Sequence, residues 1–327
     1  MSQRKVGSPS DVDRGRHLAG LHGAWATPLE IVASVVGEVT RAPIIDFRRI
    51  IDGEQNEVYD VTVEGASSLI VRIAHGGPES HDREAWVLGA CLARGIPAPR
   101  VHAVRRVEVG SEVRSVMVME KLPGERLADL GPDEVDVRRV LQEVGQWLRQ
   151  LHTIPVHGLG NLDGSGIGEF TTQDQWLANV TGRAQEFEAA GRSVGLAPST
   201  IHGWLREIVD AFRTAPPRMI MSHNELLAVH VLVHDGRLSG IIDFGVAAAE
   251  PAANDFAKWD FREGSRFPVE WILAGYGDPG IFEPPNDRSY RALWLLHGLW
   301  YLRHYHVTGL PAGAEAGRDR LLSGLHR

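Results

Sequence analysis

The stretch from Ser222 to Gly245 constrains this chain more than any other part of it. It opens as a polar loop, Ser222-His223-Asn224-Glu225, and runs on through an apolar segment to Val233. An Asp235-Gly236 pair then marks a tight hairpin turn. A second run, Leu238–Asp243, ends in Asp243-Phe244-Gly245. A β-ribbon of this kind sets the loop carboxylate and the strand-end carboxylate on opposite sides of one small space. That is an arrangement for chemistry, and it needs a scaffold around it.

The flanking patterns describe that scaffold. Strand-like runs fall at Ile44–Ile51, Glu57–Val63 and Ser68–Ala74, the last two joined by a turn at Gly65. Pro78–Arg94 reads as a helix with Glu84, Val87, Leu88 and Cys91 on one face and Gly95 as terminator. Two further strands, Arg100–Val107 and Val113–Glu120, hinge at Gly110. Ahead of all these, Thr27, Pro28 and Glu30 read as a capping box that starts a helix. After Leu122-Pro123-Gly124 the period turns helical, first at Val137, Val140, Leu141, Val144, Trp147, Leu148 and Leu151. Later helices are expected at Gln173–Ala189, Ser199–Thr214, Pro268–Tyr276, Arg288–Tyr305 and Ala314–Leu325. The expected organisation is a flexible tail over 1–25, a small β-rich lobe over 26–120, and a larger helical lobe over 121–327.

Composition narrows the function classes. The chain has 327 residues, a net charge of −8 and 43% hydrophobic residues, ordinary for a globular enzyme. Basic residues form no stripe, so nucleic acid is not an expected partner. A single cysteine, Cys91, excludes an intrachain disulfide and a cysteine-bound zinc. The polar first residues lack the apolar core of a signal peptide, and Ala292–Leu302 is too short to span a bilayer. A cytoplasmic enzyme with no membrane partner is the expectation; oligomeric state is left open. Of 34 basic side chains only Lys5, Lys121 and Lys258 are lysines. The small lobe therefore holds no lysine of its own before Lys121.

These residues resemble the aminoglycoside phosphotransferase family, whose members act on aminoglycosides, hygromycin B and macrolides. The likeness runs from about Ile44 to Leu302. It rests on His223, Asn224, Glu225, His230, Ile242-Asp243-Phe244, Glu250-Pro251 and Asp255. The stretch from Gly158 to Thr172 looks most like hygromycin B kinases. The resemblance implies an α+β, bilobal protein-kinase-like fold: a five-stranded antiparallel lobe with one inserted helix, and a mostly helical second lobe. It further implies an alcohol-group phosphotransferase using ATP or GTP with Mg2+, acting on a small molecule such as an antibiotic. Phosphoryl transfer needs a carboxylate to orient the attacking hydroxyl, ligands for magnesium, and positive charge on the phosphates.

By that likeness Glu225 is the catalytic carboxylate, and His230 and Asp243 are the metal ligands. Arg72, on the strand Val71-Arg72-Ile73, takes the place of the phosphate-binding lysine, with Glu84 as its ion-pair partner. Gly53 sits in the nucleotide-covering loop, a segment that also reads as a plain β-turn. Met119 and Lys121 flank the hinge that would meet the base. Two departures from the family stand out: it has aspartate where this chain has Glu225, and asparagine where it has His230. They motivate the alternatives of a nucleotide-binding pseudokinase, or a kinase of a biosynthetic intermediate. His223 and His152 read as structural, Asp255 as an anchor for the loop. Arg262, Glu263, Asp278, Glu283 and Asp287 fall where an acceptor pocket would be lined.

Overall fold

The computed structural model describes residues 11–25, 27–75, 81–131, 135–214, 217–284 and 286–324. Two helices, α1 (Asp11–Gly23) and α2 (Leu29–Val39), precede the strands β1 (Ile44–Ile50), β2 (Asn56–Val63) and β3 (Leu69–Ala74). Helix α3 (Asp82–Leu92) leads into β4 (Val101–Val109) and β5 (Glu112–Glu120). These five strands form one antiparallel sheet in the order β1-β2-β3-β5-β4. Side chains alternate across a strand, and β3 shows the consequence. Leu69, Val71 and Ile73 pack with Val32, Val35 and Val36 of α2. Ile70 and Arg72, on the opposite face, look into the cleft between the lobes.

The second lobe begins with the short β6 (Glu125–Arg126) and α4 (Val137–Leu151). There follow β7 (Leu159–Leu162), β8 (Gly168–Phe170), α5 (Gln173–Gly182), α6 (Ala184–Ser193) and α7 (Pro198–Thr214). Next come β9 (Met219–Ser222), the ribbon β10 (Val231–His234) and β11 (Arg237–Ile241), and β12 (Ala248–Pro251). Helices α8 (Ala253–Glu263), α9 (Val269–Tyr276), α10 (Asn286–Val307) and α11 (Pro311–Ser323) complete the lobe. The ribbon pairs with β6, and β8-β7-β12-β9 form a second small sheet. One continuous apolar core joins α4, α7, α8 and α10, and reaches Val87, Leu88 and Cys91 of α3. Helices α4 and α9 cross at Gly145 and Gly275, where an added Cβ on either would strike the other's backbone.

Several expectations change. Residues 11–23 of the expected tail are helical; residues 1–10, and Pro78 and Leu325 at expected helix ends, lie outside the described residues. Thr27 caps nothing: its hydroxyl donates to Glu57 Oε2 at 2.7 Å, and α2 starts without a side-chain cap. A buried carboxylate offers that hydroxyl a stronger partner than a helix end. The expected helix 173–189 breaks at Arg183 into α5 and α6, beside Thr181 and Gly182, which hold a helix weakly. Helix α8 is not among the expected helices; most of its length is buried.

Candidate active site

A cleft of about 1500 Å³ lies between the lobes. Its β3 wall is built on Arg72, which donates to Glu84 of α3 and, at 2.9 Å, to Asp243 Oδ1. Glu84 lies behind Arg72, nearly fully buried, and also accepts from the Phe244 backbone N–H at 3.3 Å. Asp243 follows β11 at φ +73°, a left-handed conformation that costs an aspartate free energy. The strained turn swings its carboxylate out of the ribbon and into the cleft. Burial alone would raise the Asp243 pKa, but Arg72, then His230, more than offset it and hold the carboxyl well below its usual range. The ion pair expected from sequence is present, and it extends to a third member.

The facing wall is the loop after β9. Asp255, fully buried, accepts from the Ser222 hydroxyl at 2.9 Å, the Asn224 N–H at 2.9 Å and the His223 N–H at 3.1 Å. His152 Nε2 meets its other side at 3.1 Å. Four partners on one carboxylate make Asp255 the anchor of this loop, as the sequence suggested. His223 is held from both ring nitrogens: Nε2–H donates to Ile242 O at 3.1 Å, and Nδ1 accepts from Glu225 N at 3.2 Å. Burial lowers its pKa to about 4, which suits a neutral structural ring.

Glu225 projects from this loop toward α8, where Lys258 Nζ reaches its Oε2 at 2.6 Å. Burial would raise the Glu225 pKa; the nearby Lys258 and Arg262 cations prevail and bring it down to about 2. Lys258 carried no signal of function in the sequence beyond being one of three lysines. His230 donates from Nδ1 to the Glu225 carbonyl at 2.7 Å. Its Nε2 then faces Asp243 Oδ2 at 3.4 Å.

Those last contacts bear on magnesium. With Nδ1–H spent on a carbonyl, a neutral His230 presents a lone pair at Nε2, the arrangement that orients metal-bound histidines. An imidazole lone pair and a carboxylate oxygen facing each other call for a cation between them. The two groups fit a metal bound mostly through phosphates and water, the usual style of Mg2+, although magnesium prefers oxygen to nitrogen. No group of three or more such ligands occurs among the described residues.

The remaining predicted residues divide. Gly53 and Met119 line the cleft, Gly53 with its carbonyl held by His22 Nε2 of α1 at 2.7 Å. Lys121 lines it too, but its ammonium pairs with Asp60 at 2.8 Å and its N–H donates to Ser68 O. Of its backbone groups, the carbonyl is left to offer a base. Arg262 and Glu263 line the cleft; Asp278, Glu283 and Asp287 do not. Sequence reasoning missed how the covering loop is pinned. Asp52 pairs with Arg126, and Glu54 approaches His304 Nε2 at 3.5 Å.

Residues 46–292 match the phosphotransferase enzyme family called APH. The chain belongs to that family. It is accordingly a phosphotransferase, an enzyme acting on hydroxyl groups. Solved structures agree on the fold. A thermostable mutant of aminoglycoside phosphotransferase APH(4)-Ia, in a ternary complex with AMP-PNP and hygromycin B, superposes with TM-score 0.74 at 19% identity. The match covers 89% of this chain and 96% of that one. The GDP complex of aminoglycoside 2'-phosphotransferase-IIIa gives 0.64 at 14% identity, covering 91% and 98%. The GDP and kanamycin complex of APH(2")-IIIa gives 0.60 at 16% identity, covering 89% and 97%. No curated protein matches the sequence. In this phosphotransferase no described helix is long and apolar enough to cross a membrane.

Proposed function

We infer that this phosphotransferase moves the γ-phosphoryl of ATP or GTP to a hydroxyl of a small molecule, an antibiotic of the aminoglycoside, hygromycin or macrolide kind. The observation that carries the reading is Asp243. Its carboxylate stands between Arg72 on the nucleotide wall and His230 on the loop that bears Glu225. Arg72 binds phosphate oxygens as a fixed fork. Asp243 and His230 would hold Mg2+, which neutralises phosphate charge when bound. Glu225 accepts a hydrogen bond from the acceptor hydroxyl and fixes its line of attack. A carboxylate with a pKa near 2 is a weak base, so it orients the hydroxyl first and takes the proton late.

Support for the acceptor class comes from the relatives' bound ligands and from the β7–β8 hairpin. That hairpin puts Gly160, Asn161, Glu169 and Phe170 on the cleft. The test is single-turnover phosphoryl transfer from ATP or GTP with magnesium across aminoglycosides, hygromycin B and macrolides. Transfer to one class is the expected result. Tight nucleotide binding with no transfer to any acceptor, including sugars and peptide hydroxyls, would instead support a nucleotide-binding module.

A further inference from the structure

Helix α8 presents two cations to the cleft. Lys258 and Arg262 stand four residues apart, which places them side by side on one helix face, and both line the cavity. Lys258 donates to the Asn224 carbonyl and to Glu225 Oε2. An ammonium has three hydrogens, so one is left over. Arg262 is committed even less. Its guanidinium lies over the Tyr301 ring, 4.8 Å from the centroid; it interacts with the nearby Glu225 and Glu263 charges but makes no side-chain hydrogen bond of its own to them among the described residues. A guanidinium carries five N–H donors in a planar fork matched to phosphate and carboxylate. Stacking on an aromatic face fixes its plane and leaves its edge for an incoming anion.

Position says which anion. Lys258 shares its ammonium with Glu225, the carboxylate that orients the acceptor hydroxyl under the proposed function. A group touching Lys258's spare hydrogen is therefore next to the attacking oxygen. Arg72 lies across the cleft and already binds Glu84 and Asp243. It serves the nucleotide side. Of the other arginines on the cavity wall, Arg266 is held by the Ala128 and Leu130 carbonyls and Arg303 pairs with Glu186, so Lys258 and Arg262 stand nearest Glu225.

We propose that Lys258 and Arg262 are catalytic residues that hold the phosphoryl group as it passes to the acceptor. In that step the bond from the β–γ bridging oxygen to phosphorus breaks, and its electron pair stays on the nucleoside diphosphate. The acceptor oxygen forms the new bond to phosphorus, and its proton goes to Glu225. Charge spreads over three equatorial oxygens in between. Two fixed donors aimed at them stabilise that state more than either ground state.

The inference rests on the phosphotransfer reading, and the test separates the two. Full-length enzyme with magnesium is titrated with ADP or GDP, whichever binds better, alone and with aluminium fluoride, a mimic of the phosphoryl in flight. The wild type is expected to bind the fluoride complex on the order of 10²-fold tighter than the diphosphate. Lys258→Met and Arg262→Gln should each cut that preference about tenfold or more, leaving diphosphate affinity within about twofold. Arg262→Lys, which keeps the charge but loses the planar fork, should recover part of it. Folded variants with an undiminished preference would overturn the clamp alone. Equal losses for diphosphate and fluoride complex would overturn it too, by assigning the pair to nucleotide binding. A wild type with no fluoride preference would overturn the phosphotransfer reading along with it.

Discussion

On the β3 wall of the cleft Arg72 is committed on both sides, to Glu84 behind it and Asp243 in front. On the α8 wall Arg262 stacks on Tyr301 with no carboxylate fork of its own, and Lys258 keeps one donor in reserve. One wall is assembled before any ligand arrives; the other holds unspent charge. The difference is physical. Arg72 is buried, and a buried guanidinium without a carboxylate would cost several kcal/mol. Arg262 lines the cleft, stacked on Tyr301 with Glu225 and Glu263 nearby rather than in a carboxylate fork. An assembled wall fixes geometry, whereas an unspent one responds to charge that appears during reaction.

The sharpest way to break this comparison is at Asp243, which Arg72 of the β3 wall and His230 of the loop bearing Glu225 both contact. Asp243→Asn keeps the shape and removes the charge that Arg72 and His230 share. Magnesium-dependent single-turnover transfer should fall by about 10³-fold or more. Thermal unfolding should show a folded variant, and Arg192→Ala, which affects only a surface pair with Glu188, should transfer at the parental rate. Near-normal transfer by a folded Asp243→Asn enzyme would remove the carboxylate from the mechanism.

At Glu225 the effect should be smaller, on the order of 10²-fold for Glu225→Gln. The amide keeps the size of the side chain and can accept a hydrogen bond, but it cannot take the proton. Glu225→Asp should keep partial activity, because Lys258 would have to follow a shorter side chain. Equal rates for Glu225→Gln and the parent would show that Glu225 does not take the proton.

Arg72→Lys should cost about tenfold in transfer. Charge survives, but one ammonium cannot reach Glu84 and Asp243 in the same plane while offering a fork to phosphate. Arg72→Ala should cost more. If both variants match the parent in nucleotide affinity and rate, the β3 wall is structural.

These two walls were not equally legible in the sequence. The β3 wall could be read because strand alternation places Arg72 opposite Val71 and Ile73, and helical spacing places Glu84 with Val87, Leu88 and Cys91. Asp243 was marked by the ribbon that delivers it. The α8 wall could not be read. Its helix buries Ala253 through Ala257, then Trp259 and Asp260, and Lys258 among them looks like any other charged residue. Docking of α1 was hidden for another reason. It depends on His22 reaching Gly53 O, and on Arg49 reaching the carbonyls of His22 and Trp25, contacts between distant residues with no local pattern. Thr27 misled because local capping chemistry lost to a buried carboxylate far along the chain.

The smallest effect on transfer is expected at Glu250, at the back of the acceptor side, and this change is read on stability instead. Glu250 is buried with Trp176 Nε1 at 3.2 Å as its hydrogen-bond donor. Burial, with Asp255 adding repulsion, raises its pKa from 4.5 to about 8. It is the counterpart of Asp255, equally enclosed but ionised, because four donors surround that carboxylate and only one faces this one. A raised carboxyl keeps its proton in the folded state after the unfolded chain has lost it. Its contribution is therefore complete below about pH 4.5, declines as pH rises, and is gone above about pH 8. Glu250→Gln preserves the bond from Trp176 and cannot ionise, so the variant should lose less stability than the parent between pH 5 and 8. The difference should be about 4 kcal/mol, or roughly 6 °C in Tm. Parallel melting curves across that range would show that Glu250 is ionised when folded. The acceptor side would then carry one more negative charge than its enclosure suggests, and a cationic acceptor would gain a partner there.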